Sequence, residues 1–260
     1  MYAVLTHDID SIKRPLRHIL RVRSRFGLGD LLRHVLGLTN LYYNVNLILD
    51  FEDQLGARST FFLPVFLFPI TEILDDIKAL IREGWEVSLH AVIEGIQREG
   101  LIRMQLEFLR DLLGFSPRGV RSHYLVINDE VLRIYASLGL DYDSSFRVES
   151  LGRWDPVVTK YGILEIPIGI MDADLFGRLH LSEESAWRYI VRKVERAKEE
   201  GARFIVFLFH QESFRMKGGR LYSRLLWWLH EKEFHFLRCV DVCNLLSREQ
   251  ESSIGPGGAY

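Results

Sequence analysis

The 260 residues are 48 % hydrophobic and 26 % charged, the proportions of an ordinary globular protein. A formal net charge of −2 speaks against wholesale nucleic-acid binding, which calls for a basic domain. Two cysteines, Cys239 and Cys243, are too few for a disulfide framework or a thiolate zinc site and read as buried thiols that could share a helix face.

Along the chain, short apolar runs alternate with amphipathic stretches. Tyr2 to Thr6 reads as a buried strand. Arg58 to Leu63 follows Gly56, and Glu86 to His90 follows the helix stop Glu83-Gly84. Gly119 to His123, Leu140 to Ser144 and Ile163 to Ile168 each follow a turn signal, and Phe204 to Phe209 follows Gly201. His235 to Arg238 is a weaker last strand. Helical patterns cover about 70–83, 98–113, 128–138, 182–200 and 219–232, the fourth capped by Ser182. Such alternation implies parallel strands covered by helices, in an open sheet or a barrel. No domain linker is visible, so residues 1–250 read as one domain. The Ser/Gly/Pro-rich stretch 251–260 reads as a flexible tail. The N-terminus shows no signal-peptide pattern and no apolar run reaches bilayer length, which sets a cytoplasmic location as the expectation.

Polar residues gather where these strands end. Asp8 and Asp10 follow the first strand, His90 ends the third with Glu94 four residues on, and Arg121, His123 and Tyr124 follow the fourth. Asp143 closes the fifth, and His210 closes the Phe204 strand. In (β/α) barrels the active site lies at this rim. Each residue alone reads more simply as a cap or a satisfied polar group; their coincidence on five strands suggests metal-assisted hydrolysis. Carboxylate and imidazole suit Zn, Fe, Co, Ni or Mn. A second carboxylate can act as base and a separate histidine as acid.

In order along the chain, the segments THDID, RSTFFLP, EVSLH, GVRSHY and YDSS, and the strand ending in His210, resemble the motifs of the polysaccharide deacetylase (NodB-homology, carbohydrate esterase family 4-like) family. The likeness covers about residues 2 to 245. It implies a distorted, incomplete (β/α) barrel of about seven parallel strands. It implies one divalent metal, zinc first, and hydrolysis of a C–N amide bond, with N-deacetylation of an acetamido sugar at the front. A cyclic amide or ureide hydrolase, or an inactive carbohydrate-binding relative, are the alternatives. On this match Asp8 is the base, Arg121 its orienting partner, His210 the acid, and Asp10 and His90 metal ligands. Tyr124 falls where a backbone amide helps hold the oxyanion, and Asp143 joins it as an oxyanion or substrate-binding candidate. The family's second ligand histidine is replaced by Glu94. Either Glu94 or His123 therefore completes the metal site.

Between Asp10 and Thr60 lies a helical insertion, near 13–50. Its Lys13–Arg25 stretch carries six Lys and Arg, no acid, and interleaved Leu16, Ile19, Leu20, Val22 and Phe26. It reads either as a solvated helix face packed on the barrel or as an anion-binding wall beside the site. The second reading extends to a phosphate- or lipid-linked substrate and to peripheral membrane contact through 13–36.

Overall fold

The computed structural model describes residues 1–93 and 98–253. Its strands are β1 (Tyr2–Asp8), β2 (Thr60–Leu63), β3 (Glu86–Ala91), β4 (Gly119–Ser122), β5 (Tyr142–Asp143), β6 (Val157–Val158), β7 (Leu164–Glu165), β8 (Ile168–Met171), β9 (Phe204–Leu208) and β10 (His235–Leu237). They form one sheet in the order β6-β7-β5-β4-β3-β2-β1-β9-β8, with β10 beside β1. Every pairing is parallel except β6 with β7.

β7 and β8 are successive parts of one extended run around Pro167. The first part pairs with β5 and the second with β9, so this run joins the two ends of the sheet and curls it into a barrel. Pro167 offers no N–H to the ladder, and the β5–β7 contact is only two residues long. The barrel is therefore distorted and incomplete at this seam. Seven positions around its wall agree with the sequence reading, while the Ile163–Ile168 strand is corrected: it continues to Met171.

Helices cover the outside: α1 (Leu16–Arg21), α2 (Leu28–Val35), α3 (Val45–Asp53), α4 (Leu74–Arg82), α5 (Arg98–Leu113), α6 (Asp129–Ser137), α7 (Val148–Leu151), α8 (Glu183–Glu199), α9 (Lys217–Glu231) and α10 (Cys239–Ser253). Ser182 caps α8 by accepting from the Ser185 N–H at 3.2 Å, and Asn128 caps α6 by accepting from Val131 at 3.0 Å. α10 reaches Ser253, three residues into the stretch read as a tail; residues 254–260 lie outside the described residues. It holds Cys239 and Cys243, both free and buried.

The two-residue period of a strand decides what each β1 side chain meets. Ala3 and Leu5 join the main core, which includes Phe61, Leu63, Val87 and Ile205 together with helix residues such as Ile77 and Ile190. Burial of each such Leu, Ile or Phe contributes about 1.5–3 kcal/mol. Val4 faces the other way, into a second cluster with Phe62, Val206 and the α10 residues Cys239 and Val242. That cluster packs one end of the barrel. Thr6 and Asp8, on the same face as Val4, then point into the opposite end, where the parallel strands finish.

Candidate active site

Asp8 ends β1, and Arg121 reaches it from β4. The Arg121 side chain is fully buried. Its Nη1 donates to Asp8 Oδ1 at 2.8 Å and to Thr6 Oγ1 at 3.1 Å. Nε donates to the Ser144 carbonyl at 2.7 Å, and Nη2 to the Ser144 hydroxyl at 2.8 Å. Phe62 stacks 4.1 Å beneath the guanidinium. Burial alone would push the Asp8 carboxyl up, but Arg121, with His90 and His210, outweighs it and holds Asp8 below the usual carboxylate range. A buried carboxylate is thus kept charged and aimed.

Beside it, three further atoms converge. His90 Nε2 lies 3.1 Å from Asp10 Oδ1 and 3.1 Å from His123 Nδ1, and His123 Nδ1 lies 3.4 Å from Asp10 Oδ1. His90 Nδ1 donates to the Arg121 carbonyl at 3.1 Å. That leaves Nε2 as the atom His90 turns toward the Asp10 carboxylate. Asp10 Oδ1 is buried, and these two imidazoles are its polar neighbours. Burial opposes the Asp10 charge, but the His123 and His90 imidazoles overcome that and hold the carboxyl well below its ordinary value.

One ligand atom from each of the three side chains lies within 4.8 Å of the others, and a carboxylate with two imidazoles is a donor set that suits a divalent cation. Ligands about 2.1 Å from a tetrahedral ion stand about 3.4 Å apart, so the observed triangle fits a zinc-sized ion. His123 is the histidine that the structure brings to this triangle; Glu94 lies outside the described residues.

Opposite stands His210, after β9. Its Nε2 lies 3.9 Å from Asp8 Oδ2 and 3.8 Å from Asp10 Oδ2. Its Nδ1 bonds Asp172 Oδ1 at 2.6 Å, and Asp172 Oδ2 accepts from the His210 N–H at 3.0 Å and from the Ser213 hydroxyl at 2.6 Å. Burial would lower the imidazole, but Asp172 dominates, and His210 is held well above its usual range. Sequence reasoning missed Asp172, because the strand was ended at Ile168. The available signal was the apolar stretch beyond Pro167, Ile168 to Met171, followed by an acid, the pattern that marked Asp8. Glu212, two residues beyond His210, lines the same cleft as that histidine. Burial and then the neighbouring Asp10 charge push it up to about 8.

Asp8, Asp10, His90, Asp172, His210 and Glu212 line this cleft of about 720 Å³. Tyr124 stands at its wall with a left-handed backbone (φ 56°) and a largely exposed ring. Arg25 from the basic insertion and Arg147 line it too. Asp143 does not reach it, which corrects its assignment to the substrate. It is fully buried, accepts from Ser145 Oγ at 2.6 Å and stands beside Glu165 across the β5–β7 pair. Burial raises both carboxyls, and Asp143 raises Glu165 further. Ser145 in turn accepts the Ser122 N–H at 2.8 Å. The YDSS segment is thus the cradle that fixes β4 and Arg121.

No protein-family profile and no curated protein matches the sequence. Solved structures do match. A protein from Mycobacterium smegmatis assigned as a polysaccharide deacetylase superposes with a TM-score of 0.71 at 17 % identity, covering 96 % of this chain and 91 % of that one. The chain has the fold of the polysaccharide deacetylases. A Pseudomonas aeruginosa PAO1 protein with the same assignment gives 0.67 at 16 % identity, over 95 % and 91 % of the two chains. An allantoinase shares this deacetylase fold, at 0.67 and 15 % identity over 94 % and 89 %. A carbohydrate esterase family 4 pseudoenzyme from Bacillus anthracis has the fold as well, with a TM-score of 0.55 at 13 % identity over 93 % of this chain and 65 % of that one.

Proposed function

We propose that the protein is a metal-dependent hydrolase of C–N amide bonds whose substrate is an acetamido sugar. The observation that carries this reading is the convergence of one ligand atom each from Asp10, His90 and His123 beside the Arg121-paired Asp8 and the Asp172-paired His210. The three converging side chains would hold one divalent ion, zinc before Fe, Co, Ni or Mn. When bound, such an ion supplies Lewis acidity at the amide carbonyl and acidifies water.

The chain's own groups handle the protons. Asp8, oriented by Arg121, accepts a proton from the attacking water through Oδ2, because Oδ1 is occupied by the guanidinium. His210, held protonated by Asp172, gives its proton from Nε2 to the leaving nitrogen. The carbon–oxygen bond forms, the carbon–nitrogen bond breaks, and a carboxylate and an amine leave. The cleft is large enough for a sugar unit.

The test combines elemental analysis of the purified protein with an acetate-release screen on acetamido sugars, free and conjugated. One equivalent of metal and acetate release are expected. Asp8→Asn should abolish turnover with metal retained, and His210→Ala should lower it about 10²–10⁴-fold. Metal-free protein after zinc addition, or full activity in Asp8→Asn, overturns the reading. The allantoinase likeness favours one second reading, a cyclic amide or ureide substrate, so allantoin belongs in the same screen.

A further inference from the structure

The insertion between Asp10 and β2 has an inner and an outer face. On the inner face Ile19, Phe26, Leu41 and Tyr42, with Leu31 against them, make a small core of their own. The outer face is also apolar. Leu16 and Leu20, one turn apart on α1, stand in solvent, and so do Leu28, Leu32 and Val35, which share one side of α2. Leu36 and Leu38 continue the surface. These seven side chains are 54 to 74 % exposed. No other segment of comparable length among the described residues exposes so many large apolar groups. Contiguous apolar surface of this kind marks an interaction site.

Charge says what covers it. From Lys13 to Leu36 there are seven Lys and Arg and a single acid, Asp30, in a chain of net charge −2. Asp30 is itself paired with Arg215, at 3.2 Å. Arg17, Arg21 and Arg33 are exposed on the same two helices as the leucines. Short helices that combine solvent-facing leucines with a basic flank match the layered chemistry of an anionic bilayer: apolar residues enter the headgroup boundary, and arginines meet lipid phosphates. No helix among the described residues is long and apolar enough to cross a membrane, so such contact lies along the surface.

We propose that α1, α2 and the residues up to Leu38 dock the protein on an anionic lipid bilayer. Arg25, in the same insertion, lines the cleft, so docking brings the mouth of the site to the membrane surface. That the amide substrate is met there, carried on an anionic lipid, rests on the hydrolase reading above; bilayer binding itself does not.

The experiment is co-sedimentation of the full chain with phosphatidylcholine vesicles, with and without phosphatidylglycerol. Binding is expected only with the anionic lipid, weakened by salt. Leu28→Gln/Leu32→Gln/Val35→Gln and Arg17→Glu/Arg21→Glu/Arg33→Glu should each lower it by about tenfold or more. Circular dichroism and metal content should match the parent, because these side chains lie outside the core and the site. In an otherwise unchanged chain, Leu32→Trp should shift its emission to the blue on anionic vesicles. No sedimentation of the parent, or binding indifferent to the leucine substitutions, overturns the proposal. So does a dimer in light scattering that Leu28→Gln/Leu32→Gln/Val35→Gln turns into monomers, since the face would then belong to a second copy. Metal loss without vesicle loss would strike the hydrolase reading alone.

Discussion

His7 and Asp8 are neighbours on β1, yet they head two buried polar clusters of opposite character. On the outer face, His7 Nδ1 lies 2.8 Å from the Phe209 carbonyl and Nε2 lies 2.9 Å from Glu52 Oε1. Glu52 also accepts from Tyr222 OH at 2.6 Å and from Trp85 Nε1 at 2.6 Å. Donors there meet acceptors, and the cluster is closed. On the inner face one ligand atom each from Asp10, His90 and His123 converges within 4.8 Å. Burial alone does not separate structural from chemical polar groups, because both clusters are buried. What separates them is the set of groups: the Glu52 carboxylate is tied up by a phenol and an indole that donate to it, whereas the inner set joins one carboxylate to two imidazoles, the ligand types of a divalent cation.

The largest effect should come from breaking the closed cluster. Glu52→Ala strips acceptors from His7, Tyr222 and Trp85 at once, and should cost about 3–5 kcal/mol. Urea unfolding measures this, and a loss below about 1 kcal/mol would show that the cluster is not what holds this face. The open cluster should respond to metal instead. Zinc at about 10²–10³ times its Kd should stabilise the parent by about 2.7–4.1 kcal/mol, read as a rise in Tm. Asp10→Ala and His90→Ala should show no such rise. His123→Ala should weaken zinc binding more than Glu94→Ala, whose effect should stay within the roughly 10–100-fold of an outer partner. The opposite ranking moves the ligand to Glu94.

A third buried cluster sharpens the contrast. Asp143 and Glu165 stand side by side on β5 and β7, and burial raises both carboxyls above the usual carboxylate range. Burial holds Glu165 protonated far above its ordinary value of 4.5. Its folded form therefore binds more protons than the unfolded chain as pH rises past about 4.5, and its contribution to stability must fall with pH. Glu165→Gln keeps the hydrogen bond and removes that titration. The variant should gain on the parent as pH rises from 5 to 8. Parallel stability curves would mean that the pair does not hold its proton. KM should stay unchanged in Asp143→Asn, since Asp143 never meets the cleft.

Much of this architecture was legible because strand ends carry chemistry in a parallel barrel. Asp8, Asp10, His90, Arg121, His123 and His210 all follow apolar runs, and the structure brings them to one rim. The insertion was legible only in part: its charge was plain, but which leucines face inward depends on packing against Leu41 and Tyr42, far along the chain. Asp143 was misplaced because a two-residue strand gives no periodicity from which to read a face. The long helix α10 was missed beside a weak last strand. Asp172 was hidden by Pro167, which interrupts the run and makes Ile168 look like its end.

Asp172 gives the finest test, because it belongs to the open site and yet closes it on one side. Its two oxygens accept from the His210 ring, the His210 N–H and the Ser213 hydroxyl, so Asp172→Asn leaves shape and most hydrogen bonds in place while removing the charge. That charge is the chief influence that raises His210 against the opposing effect of burial. If His210 acts as the acid, turnover falls as pH rises through its pKa, and lowering that pKa must move the alkaline limb of kcat to lower pH. A displacement of about one pH unit or more, equivalent to about 1.4 kcal/mol, is expected, with little change in KM and normal metal content. A uniform loss of kcat with the limb in place would assign Asp172 to holding β8 against β9, and the proton to another donor. Glu212, which burial and Asp10 push up to about 8, is then the nearest candidate. Glu212→Gln would distinguish the two, moving the limb only if Glu212 and not His210 carries the proton.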